Sequence, residues 1–303
     1  MAVFIDRKEM ISIVIPLYNK AQSIENTIKC IQGQTYQDFE VVVVEGWSTD
    51  GSLEIIKRLS EEDPRIKVVM QKNRKGVTPA RNESIEAASS ERIAFIDGDD
   101  YWEPTYLENL VALMDDYPDA GIYGLAYGTI TDGKKQDAQL SGFRGIIENP
   151  WTTVGCPYWT GATGISKKAF EKVGGFDNGI IYGEDVDLWY RLMLETPCVF
   201  DATKCLSYYR LDAENRACEK TYKPSINIPF HIEKYASWRA ASEDFRKFFD
   251  YNMLCRLWPY AGLREYRAEV SRVLGQIDFS LQKPSMYWRF RIPHLYRLFK
   301  RSK

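Results

Sequence analysis

ISIVIPLYN, residues 11–19, is the first apolar segment of the chain and shows its α/β character. Ile11–Ile15 is a β-branched run that predicts a short strand ending at Pro16. Ser23 is a candidate N-cap for the helix that follows. The apolar residues of that helix share one face at the i, i+4, i+7 spacing: Ile24, Ile28 and Ile31. A strand followed by an amphipathic helix is the repeating unit of parallel sheets.

The same alternation continues to about residue 100. Strands are predicted at Phe39–Val44, Ile66–Met70 and Arg92–Ile96. One intervening helix centres on Ile56, and the next begins at Thr78-Pro79, where proline suits the first turn. Such alternation implies right-handed crossovers, so we predict an α/β fold with a mostly parallel, Rossmann-like sheet flanked by helices.

The pattern is less regular after Trp102. We expect a helix around Leu110, a strand at Gly121–Thr131 and a polar, mobile loop region at 133–157. Two further helices are predicted at Ser166–Val173 and Glu184–Glu195. From about Pro224 the chain changes to helices rich in aromatic residues and arginine. We therefore predict a main domain over 1–223 and a helical C-terminal region over 224–303.

Composition and charge exclude several classes of protein. The net charge is −2, which predicts no general attraction for nucleic acid, because such attraction would need a strongly basic face. Residues 16–19 read Pro-Leu-Tyr-Asn, which is neither a Gly-x-Gly-x-x-Gly turn nor a Walker loop. This difference disfavours a nicotinamide dehydrogenase or an ATPase.

The cysteines and the apolar segments indicate a cytoplasmic location. The six cysteines form no Cys-x-x-Cys pair and have no neighbouring histidine, so we expect reduced thiols and no zinc site. They are Cys30, Cys156, Cys198, Cys205, Cys218 and Cys255. Met1–Met10 lacks the apolar core of a signal peptide, and no segment reaches the ~18 apolar residues that cross a bilayer.

Polar side chains follow four predicted strands at their carboxyl ends, where open parallel sheets bind ligands. They are Tyr18, Asn19, Glu45, Asp50, Asn73, Asp97, Asp99 and Asp100. A structural protein has little reason to collect carboxylates that repel one another at one rim. The rim is therefore the predicted site.

Asp97-Gly98-Asp99-Asp100 is the most specific feature of this rim. Three carboxylates within four residues repel one another unless a cation lies between them, and their hard oxygens suit Mg²⁺ or Mn²⁺. Gly98 is expected to let the chain turn and approach a ligand closely. The alternative is a solvated acidic turn that caps the next helix.

The sequence resembles the family 2 glycosyltransferases of the GT-A fold over about residues 10–215. Six motifs in the family's order carry the resemblance: IVIPLYN at 13–19, STDGS at 48–52, ARN at 80–82, FIDGDD at 95–100, VGGFD at 173–177 and GEDVDL at 183–188. The resemblance implies an enzyme that moves a sugar from a nucleoside diphosphate donor, with uridine as the expected base.

The resemblance implies a role for each matched position at the donor. Pro16 and Tyr18 would line the pocket for the base, and Glu45 stands where the family usually has the Asp that bonds the base. Arg81 would contact the phosphate or the base. Tyr18 as a half-buried strand-end ring and Arg81 as a surface ion pair are the structural alternatives.

The remaining matched positions concern the metal and the reaction. Asp97 and Gly98 would lie at the nucleotide, and Asp99 would bind Mn²⁺ or Mg²⁺ with help from Asp97. Asp185 matches the family's catalytic base, which implies one in-line displacement with inversion at the anomeric carbon. Without the motif, Asp185 would be an ordinary acid in a first helical turn.

Two departures from the family pattern bear on these roles. Glu45-Gly46-Trp47 replaces the family's Asp-Asp-Gly or Asp-Gly-Gly, which leaves the identity of the base open. After Tyr209-Arg210, Leu211-Asp212 stands where many members carry a histidine near the site.

The acceptor is expected to be a saccharide or a lipid-linked saccharide that binds residues after Trp102. Trp159, Glu184 and Trp189 are the candidates, with core packing as the alternative for the two rings. Residues 284–303 are basic and aromatic and carry no acid. They fit either a peripheral contact with an anionic inner membrane face or a helix docked on the protein.

Two other functions compete with a transferase. A nucleotidyltransferase that makes nucleotide sugars would need a Gly-rich, basic loop after the first strand, and Pro16-Leu17-Tyr18-Asn19 differs from that. A non-catalytic sugar-binding relative would be expected to have lost Asp99 or Asp185, and both are present.

Overall fold

The computed structural model describes residues 10–72, 76–153, 155–214, 216 and 222–292. Asn73, Cys218, residues 1–9 and residues 293–303, which figure in the predictions above, lie outside them. The chain divides into two compact units, and each contains several segments. The first contains Met1–Glu148, Cys156–Asn178 and Asp185–Lys220; the second contains Asn149–Gly155, Gly179–Glu184 and Thr221–Lys303. The domain boundary between 223 and 224 stays a prediction.

The strands of the first unit belong to one sheet. Within the described residues they are β1 Ile11–Leu17, β2 Phe39–Glu45, β3 Ile66–Met70, β4 Arg92–Phe95, β5 Tyr101–Trp102, β6 Ile122–Thr131, β7 Lys134–Gln136, β8 Arg144–Ile146, β9 Thr163–Ser166 and β10 Cys198–Arg210. The helices are α1 Ile24–Gln32, α2 Ser52–Glu62, α3 Val77–Ala87, α4 Tyr106–Asp116, α5 Lys167–Val173 and α6 Glu184–Glu195.

The sheet has a parallel half and a mixed half. Its order is β3-β2-β1-β4-β9-β6-β10-β5, with β7 on β6 and β8 on β10. β3, β2, β1 and β4 are parallel, and β9 runs antiparallel to both β4 and β6. β6 and β10 are again parallel to each other. The predicted α/β fold, with a central sheet flanked by helices, is confirmed.

Burial explains why the first strands form. All seven residues of β2 are buried, and β1 is buried except at Pro16, as expected for strands covered by helices on both faces. α1 buries the predicted face of Ile24, Ile28 and Ile31. The apolar sequence of these segments therefore builds the core directly below the predicted rim.

Three strands were absent from the sequence-based predictions, and two predicted features were wrong. β5, β9 and β10 were not predicted. In β10, Asp201 and Lys204 interrupt the apolar pattern, and the pairing with β6 has two register shifts. The 133–157 region contains β7 and β8 instead of loop alone. Ser23 does not cap α1: its backbone is helical, and its hydroxyl donates to Glu214 at 2.6 Å.

A buried ion pair fixes α6 to the preceding turn. The Arg191 guanidinium donates to Asp187 Oδ2 at 2.6 Å, and it also donates to the carbonyls of Val173 and Gly175, both at 2.7 Å. Gly174 and Gly175 have φ of 84° and 71°, a left-handed conformation that disfavours other residues. Two of the six family motifs are thus joined through Arg191.

We predict that Arg191→Met lowers the free energy of unfolding by about 3–5 kcal/mol. The substitution removes the guanidinium charge beside the buried Asp187 and the donor to two carbonyls. Chemical denaturation measures the loss. Arg58→Met is the matched control, because Arg58 is a surface partner of Glu25 and Glu62 and should cost no more than about 1 kcal/mol. Equal losses in both variants would contradict this role of Arg191.

The second unit is helical and rich in aromatic rings. Its helices within the described residues are α7 Ala236–Ala241, α8 Glu243–Leu257, α9 Arg267–Leu274 and α10 Pro284–Arg291. Tyr235, Phe245 and Phe249 are fully buried and pack against one another. The buried Arg239 donates to both oxygens of Asp250, at 2.8 and 3.1 Å.

Two further predictions concern cysteines and membrane spans. The five described cysteines are free thiols, and burial raises the pKa of Cys30 to about 12. Among the described helices, none is long and apolar enough to cross a bilayer.

Candidate active site

The candidate site lies at the position in the sheet where the strand order reverses, between β1 and β4. β1 has β2 on one side and β4 on the other, so the chain segments that leave β1 and β4 separate at their carboxyl ends. Open α/β sheets bind ligands in the crevice formed at such a position. Tyr18 and Asn19 follow β1, and Asp97 lies two residues beyond β4.

The loops after β1 and β2 hold each other in place. Asn19 accepts from the Thr49 N–H at 2.9 Å and donates its own N–H to Ser48 Oγ at 3.0 Å. The Lys20 N–H donates to Ser52 Oγ at 2.8 Å, which extends the contact into α2. Asn19 has a φ of 51°, which asparagine tolerates better than most residues. The IVIPLYN and STDGS motifs thus form one rigid edge.

Asp50 belongs to the same edge. Its carboxylate accepts from the Ala21 N–H at 3.0 Å and from the Ser52 hydroxyl at 2.6 Å. Burial acts to raise the pKa of Asp50, but these hydrogen bonds outweigh it and hold the pKa below its usual value. Asp50 therefore shapes the loop with a carboxylate that stays ionised.

The residues of the predicted base pocket include one exposed ring and one carboxylate whose oxygens already accept backbone hydrogen bonds. Tyr18 is 49% exposed, and Pro16 lies half-buried within β1. Glu45 is fully buried, and its two oxygens accept the backbone N–H groups of Trp47 and Ser48 at 2.8 and 2.7 Å. In this conformation Glu45 holds the turn after β2, and its contact with a base stays a prediction.

Trp47 occupies the position where the sequence departs from the family. Its φ is 65°, its ring is 50% exposed, and its indole N–H donates to the Gln71 carbonyl at 3.1 Å. A bulky residue at positive φ is unusual and indicates a position held by its surroundings. Trp47 is therefore a fixed aromatic surface beside the turn that Glu45 stabilises.

Arg81 and Asn82 connect α3 to two other motifs. The buried Arg81 guanidinium donates to Asp97 Oδ1 at 2.8 Å, whereas the Asp97 side chain is 33% exposed. Asn82 donates to the Phe176 carbonyl and accepts from the Phe176 N–H, both at 3.0 Å. Arg81 therefore forms an ion pair with Asp97, but from a buried position and not at the surface. Its contact with the donor phosphate or base stays a prediction.

Asp99 is paired with a lysine that the sequence analysis did not single out. Lys20 Nζ lies 2.6 Å from Asp99 Oδ2 and 2.5 Å from the Glu214 carbonyl oxygen. Burial raises the pKa of Asp99; Lys20 opposes this effect, and the negative charges of Asp97 and Glu214 add to it. The ammonium group of Lys20 therefore stands where a metal cation would meet Asp99.

Asp100 adds to the negative charge and contacts β10. Its Oδ1 accepts from the Arg210 N–H at 3.2 Å, while Oδ2 is buried without a hydrogen-bond partner among the described residues. Burial raises the pKa of Asp100 well above its usual value, and the charges of Asp99 and Asp97 act in the same direction. Arg210 also donates through Nε to the Asp99 carbonyl at 3.1 Å.

Gly98 does not play the expected part in the turn. Its φ is outside the left-handed region. A Cβ at this position would lie 3.5–3.6 Å from Leu17, Ile24 and Lys20, which is ordinary contact. The backbone of the turn therefore does not require a glycine, and the close approach of Gly98 to a nucleotide stays a prediction.

The donor set suits a divalent cation that also binds phosphate. Asp97 and Asp99 offer hard carboxylate oxygens, and Asp100 Oδ2 is buried without a hydrogen-bond partner among the described residues. In the described ranges, no group of three or more His, Cys, Asp or Glu side chains is arranged to bind a metal. Mg²⁺ is commonly held by one or two carboxylates together with substrate phosphates, and two carboxylates are what this turn provides.

Asp185 lies at the start of α6, beside an aromatic cluster. Its Oδ2 accepts from Thr160 Oγ1 at 3.2 Å, and Trp159 precedes that threonine. The Trp159 ring packs against Tyr127 at 4.6 Å and Tyr209 at 5.5 Å between ring centroids. The predicted catalytic base and one predicted acceptor ring are thus brought together.

The other two acceptor candidates are placed differently. Trp189 is fully buried, and its ring packs against Phe95 at 5.5 Å and Phe176 at 6.3 Å. The expectation that Trp189 faces an acceptor is therefore not met, because its indole completes the core on the inner side of α6. Glu184 is buried and belongs to the second unit, and its contact with an acceptor stays a prediction.

Four residues that the sequence analysis did not assign to the site contribute to it: Lys20, Thr160, Arg210 and Glu214. Lys20 was identifiable as the only cation directly after the Tyr18-Asn19 pair. The others depend on β10 and on the segment before β9, which the apolar pattern did not reveal.

Comparison with known proteins decides the family. A model of glycosyl transferase family 2 matches residues 12–174, which is more than half of the 303-residue chain. The chain belongs to glycosyl transferase family 2. The predicted resemblance is confirmed.

Among its relatives in family 2, EpsH of Bacillus subtilis, named as a glycosyltransferase, is 34% identical over 131 residues. A second relative is WfaP of Escherichia coli, a UDP-Glc:alpha-D-GlcNAc-diphosphoundecaprenol beta-1,3-glucosyltransferase, which is 35% identical over 107 residues. The matched segments cover 43% and 35% of this chain, and 38% of EpsH and 42% of WfaP.

The fold of this family 2 chain is similar to that of TarS from S. aureus. The structure of TarS residues 1–349 in complex with UDP-GlcNAc superimposes with a TM-score of 0.69 and 17% identity. The superposition covers 90% of this chain and 82% of that one.

We predict that Asn82→Asp destabilises this family 2 chain by about 1–3 kcal/mol. The aspartate cannot donate to the Phe176 carbonyl and places negative charge against it. The midpoint of urea unfolding measures the change. Asn26→Asp is the matched control and should leave the midpoint nearly unchanged, because Asn26 is exposed on α1 and its side chain forms no hydrogen bond among the described residues. An unchanged midpoint for Asn82→Asp would show that the Asn82–Phe176 contact contributes nothing.

Proposed function

We propose that this chain transfers a sugar from a uridine diphosphate donor to a hydroxyl of a saccharide or lipid-linked saccharide. The transfer inverts the anomeric configuration and depends on Mn²⁺ or Mg²⁺. The observation that carries the proposal is the acidic turn Asp97–Asp100, which stands beyond β4 at the crevice of a family 2 sheet. It brings three carboxylates within four residues, and the buried Asp100 Oδ2 has no hydrogen-bond partner among the described residues.

The proposed site assigns the acidic turn to the metal and the β1 edge to the nucleotide. Asp99, with help from Asp97, would hold the divalent cation, and Lys20 would have to leave Asp99 for it. When bound, the cation offsets the charge that develops on the departing diphosphate. Tyr18 offers its exposed ring to the base, and Pro16 lines the same pocket.

Arg81 contributes by position as well as by charge. Its buried guanidinium holds Asp97 at 2.8 Å, so the acidic turn is oriented before any ligand arrives. A group fixed in advance does not have to be ordered when the donor binds. Arg81 therefore serves as a positioning residue for Asp97 and as a contact for the donor phosphate.

Asp185 is proposed as the general base. It takes the proton from the acceptor hydroxyl while that oxygen attacks the anomeric carbon and the nucleoside diphosphate leaves on the opposite side. The Thr160 hydroxyl and the Val186 N–H, at 3.2 and 2.8 Å, fix the orientation of the carboxylate. One displacement of this kind inverts the configuration.

The relatives support the chemistry of both substrates. WfaP is named for a UDP-Glc donor and a diphosphoundecaprenol-linked acceptor, and the TarS structures contain UDP-GlcNAc or UDP. The Trp159 ring, next to Thr160 and thus near Asp185, is where a saccharide acceptor would stack.

Asp185→Asn is expected to keep donor binding and to lose about 10²-fold or more in turnover, since an amide cannot take the proton. Turnover with a panel of nucleotide sugars and acceptors measures the loss, and calorimetric titration with UDP measures binding. Asp119→Asn, at an exposed position outside the site, is the control. Near-normal turnover of the Asp185 variant would remove it from the role of base.

Asp99→Asn is expected to abolish the extra thermal stabilisation that Mn²⁺ adds to UDP binding. A ligand that binds only the folded state raises stability by about 2.7 kcal/mol at 100 times its Kd, so thermal shift detects the coupling. Lys20→Met is the companion variant. It leaves Asp99 buried without its cation, so its Tm should fall without Mn²⁺ and recover when Mn²⁺ is added. A full Mn²⁺ response in Asp99→Asn would refute the ligand assignment.

A further inference from the structure

The second unit contains a cavity of about 720 Å³ that the proposed transferase function does not use. Ligand pockets in proteins span about 300–1,000 Å³, so the volume suits a small molecule or part of a lipid. All of the residues that line the cavity lie between Tyr260 and Arg291 and are described. The chemistry of its wall therefore identifies the kind of ligand.

One face of α9 forms much of this wall. Arg267, Val270, Ser271 and Leu274 line the cavity at the i, i+3, i+4, i+7 spacing. Glu269, the acid of this helix, is outside that face and does not line the cavity. The helix thus presents an arginine and apolar groups to the cavity while its carboxylate points elsewhere.

The opposite wall comes from α10 and the turn before it. Phe279, Tyr287 and Phe290 add three aromatic rings. Trp258 packs on Phe290 at 5.6 Å between centroids, and the Arg289 guanidinium lies 4.0 Å from the Trp258 ring centroid. This wall is apolar, with fixed rings, and suits a hydrocarbon chain.

Three arginines give the cavity a positive rim: Arg264, Arg267 and Arg291. All three are exposed, and no carboxylate is among the lining residues. Within the described part of the chain, none of these arginines forms an ion pair with an acidic side chain. Guanidinium groups bind phosphate through paired N–H donors, so the rim complements a phosphate group.

The surface beside the rim indicates that the phosphate belongs to a bilayer lipid. Trp288 is 57% exposed and Ile292 is 43% exposed, and both flank Arg291. Exposed tryptophan and aliphatic groups next to arginine are typical of segments that lie in a membrane interface.

We propose that this cavity binds one anionic phospholipid of a membrane. The phosphate would lie at Arg264, Arg267 and Arg291, and one hydrocarbon chain would enter between Leu274 and Phe290. This inference does not depend on the transferase function, because it places a lipid site in the second unit alone. It also gives the α10 segment a specific contact with a membrane, beyond general attraction to negative charge.

The first test compares sedimentation of the full chain with vesicles of phosphatidylglycerol in phosphatidylcholine and with phosphatidylcholine alone. Arg264→Gln/Arg267→Gln should weaken binding to the anionic vesicles about 30-fold, the effect expected for two cations at such a surface. Lys247→Gln/Lys283→Gln removes the same charge from exposed positions outside the cavity and should have little effect. Equal losses in both pairs would overturn the proposal in favour of non-specific attraction.

The second test examines entry of the hydrocarbon chain. In a Trp288→Phe background, phosphatidylglycerol brominated in its acyl chain should quench tryptophan fluorescence through Trp258. Ser271→Phe fills the cavity from its exposed wall without changing charge, and it should abolish this quenching while vesicle sedimentation persists. Unchanged quenching would overturn the cavity as the site of the chain.

A soluble phosphate compound could occupy the three arginines in place of a lipid headgroup. Glycerol phosphate, added while the total ionic strength is held constant, should not displace the protein from anionic vesicles. Complete displacement would show a phosphate site without a lipid and overturn the proposal. Only variants whose Tm equals that of the unmodified chain are compared. Loss of folding is then not mistaken for loss of binding.

Discussion

Buried negative charge at the carboxyl end of β4 is the constraint on which the rest of the first unit depends. Asp97, Asp99 and Asp100 stand within four residues, and two of them are almost fully buried. Buried carboxylates are costly unless cations or hydrogen bonds compensate them. Arg81 from α3, Lys20 from the loop after β1 and Arg210 from β10 provide that compensation. Three separate segments are therefore held around one acidic turn.

This arrangement explains why the family motifs are spread along the chain. Each motif supplies one part of a connected set: Asn19 joins the STDGS loop, Asn82 joins the VGGFD turn, and Arg191 ties that turn to α6. Arg210 binds the acidic turn, and the neighbouring Tyr209 contacts Trp159, so one strand end connects the acidic turn with the aromatic cluster near Asp185. Loss of one part should loosen its neighbours, because the groups share partners.

The sequence predicted the parallel half of the sheet because apolar periodicity there is undisturbed. β3 and α6 have the predicted bounds, and β1, β2 and β4 differ by one or two residues at an end. β10 was missed because Asp201 and Lys204 break its pattern and two register shifts bend it. Tertiary pairing with β6 stabilises a strand that local sequence does not specify.

Site residues were predictable by position but not by partner. Tyr18 and Asp97 follow the ends of β1 and β4, as the strand pattern predicted. The burial of Trp189 and the inward hydrogen bonds of Glu45 depend on packing, which the strand pattern does not reveal. The Lys20–Asp99 pair joins residues 79 positions apart, and no spacing rule reveals it. It is also the contact that a metal would have to replace.

A crystal structure of the chain with UDP and Mn²⁺, with anomalous scattering recorded for manganese, would show whether the acidic turn binds the metal. We expect an anomalous peak at Asp99 beside the diphosphate and a Lys20 ammonium that has moved away from Asp99 Oδ2. UDP bound with Lys20 still on Asp99 and no peak at the acidic turn would contradict this expectation.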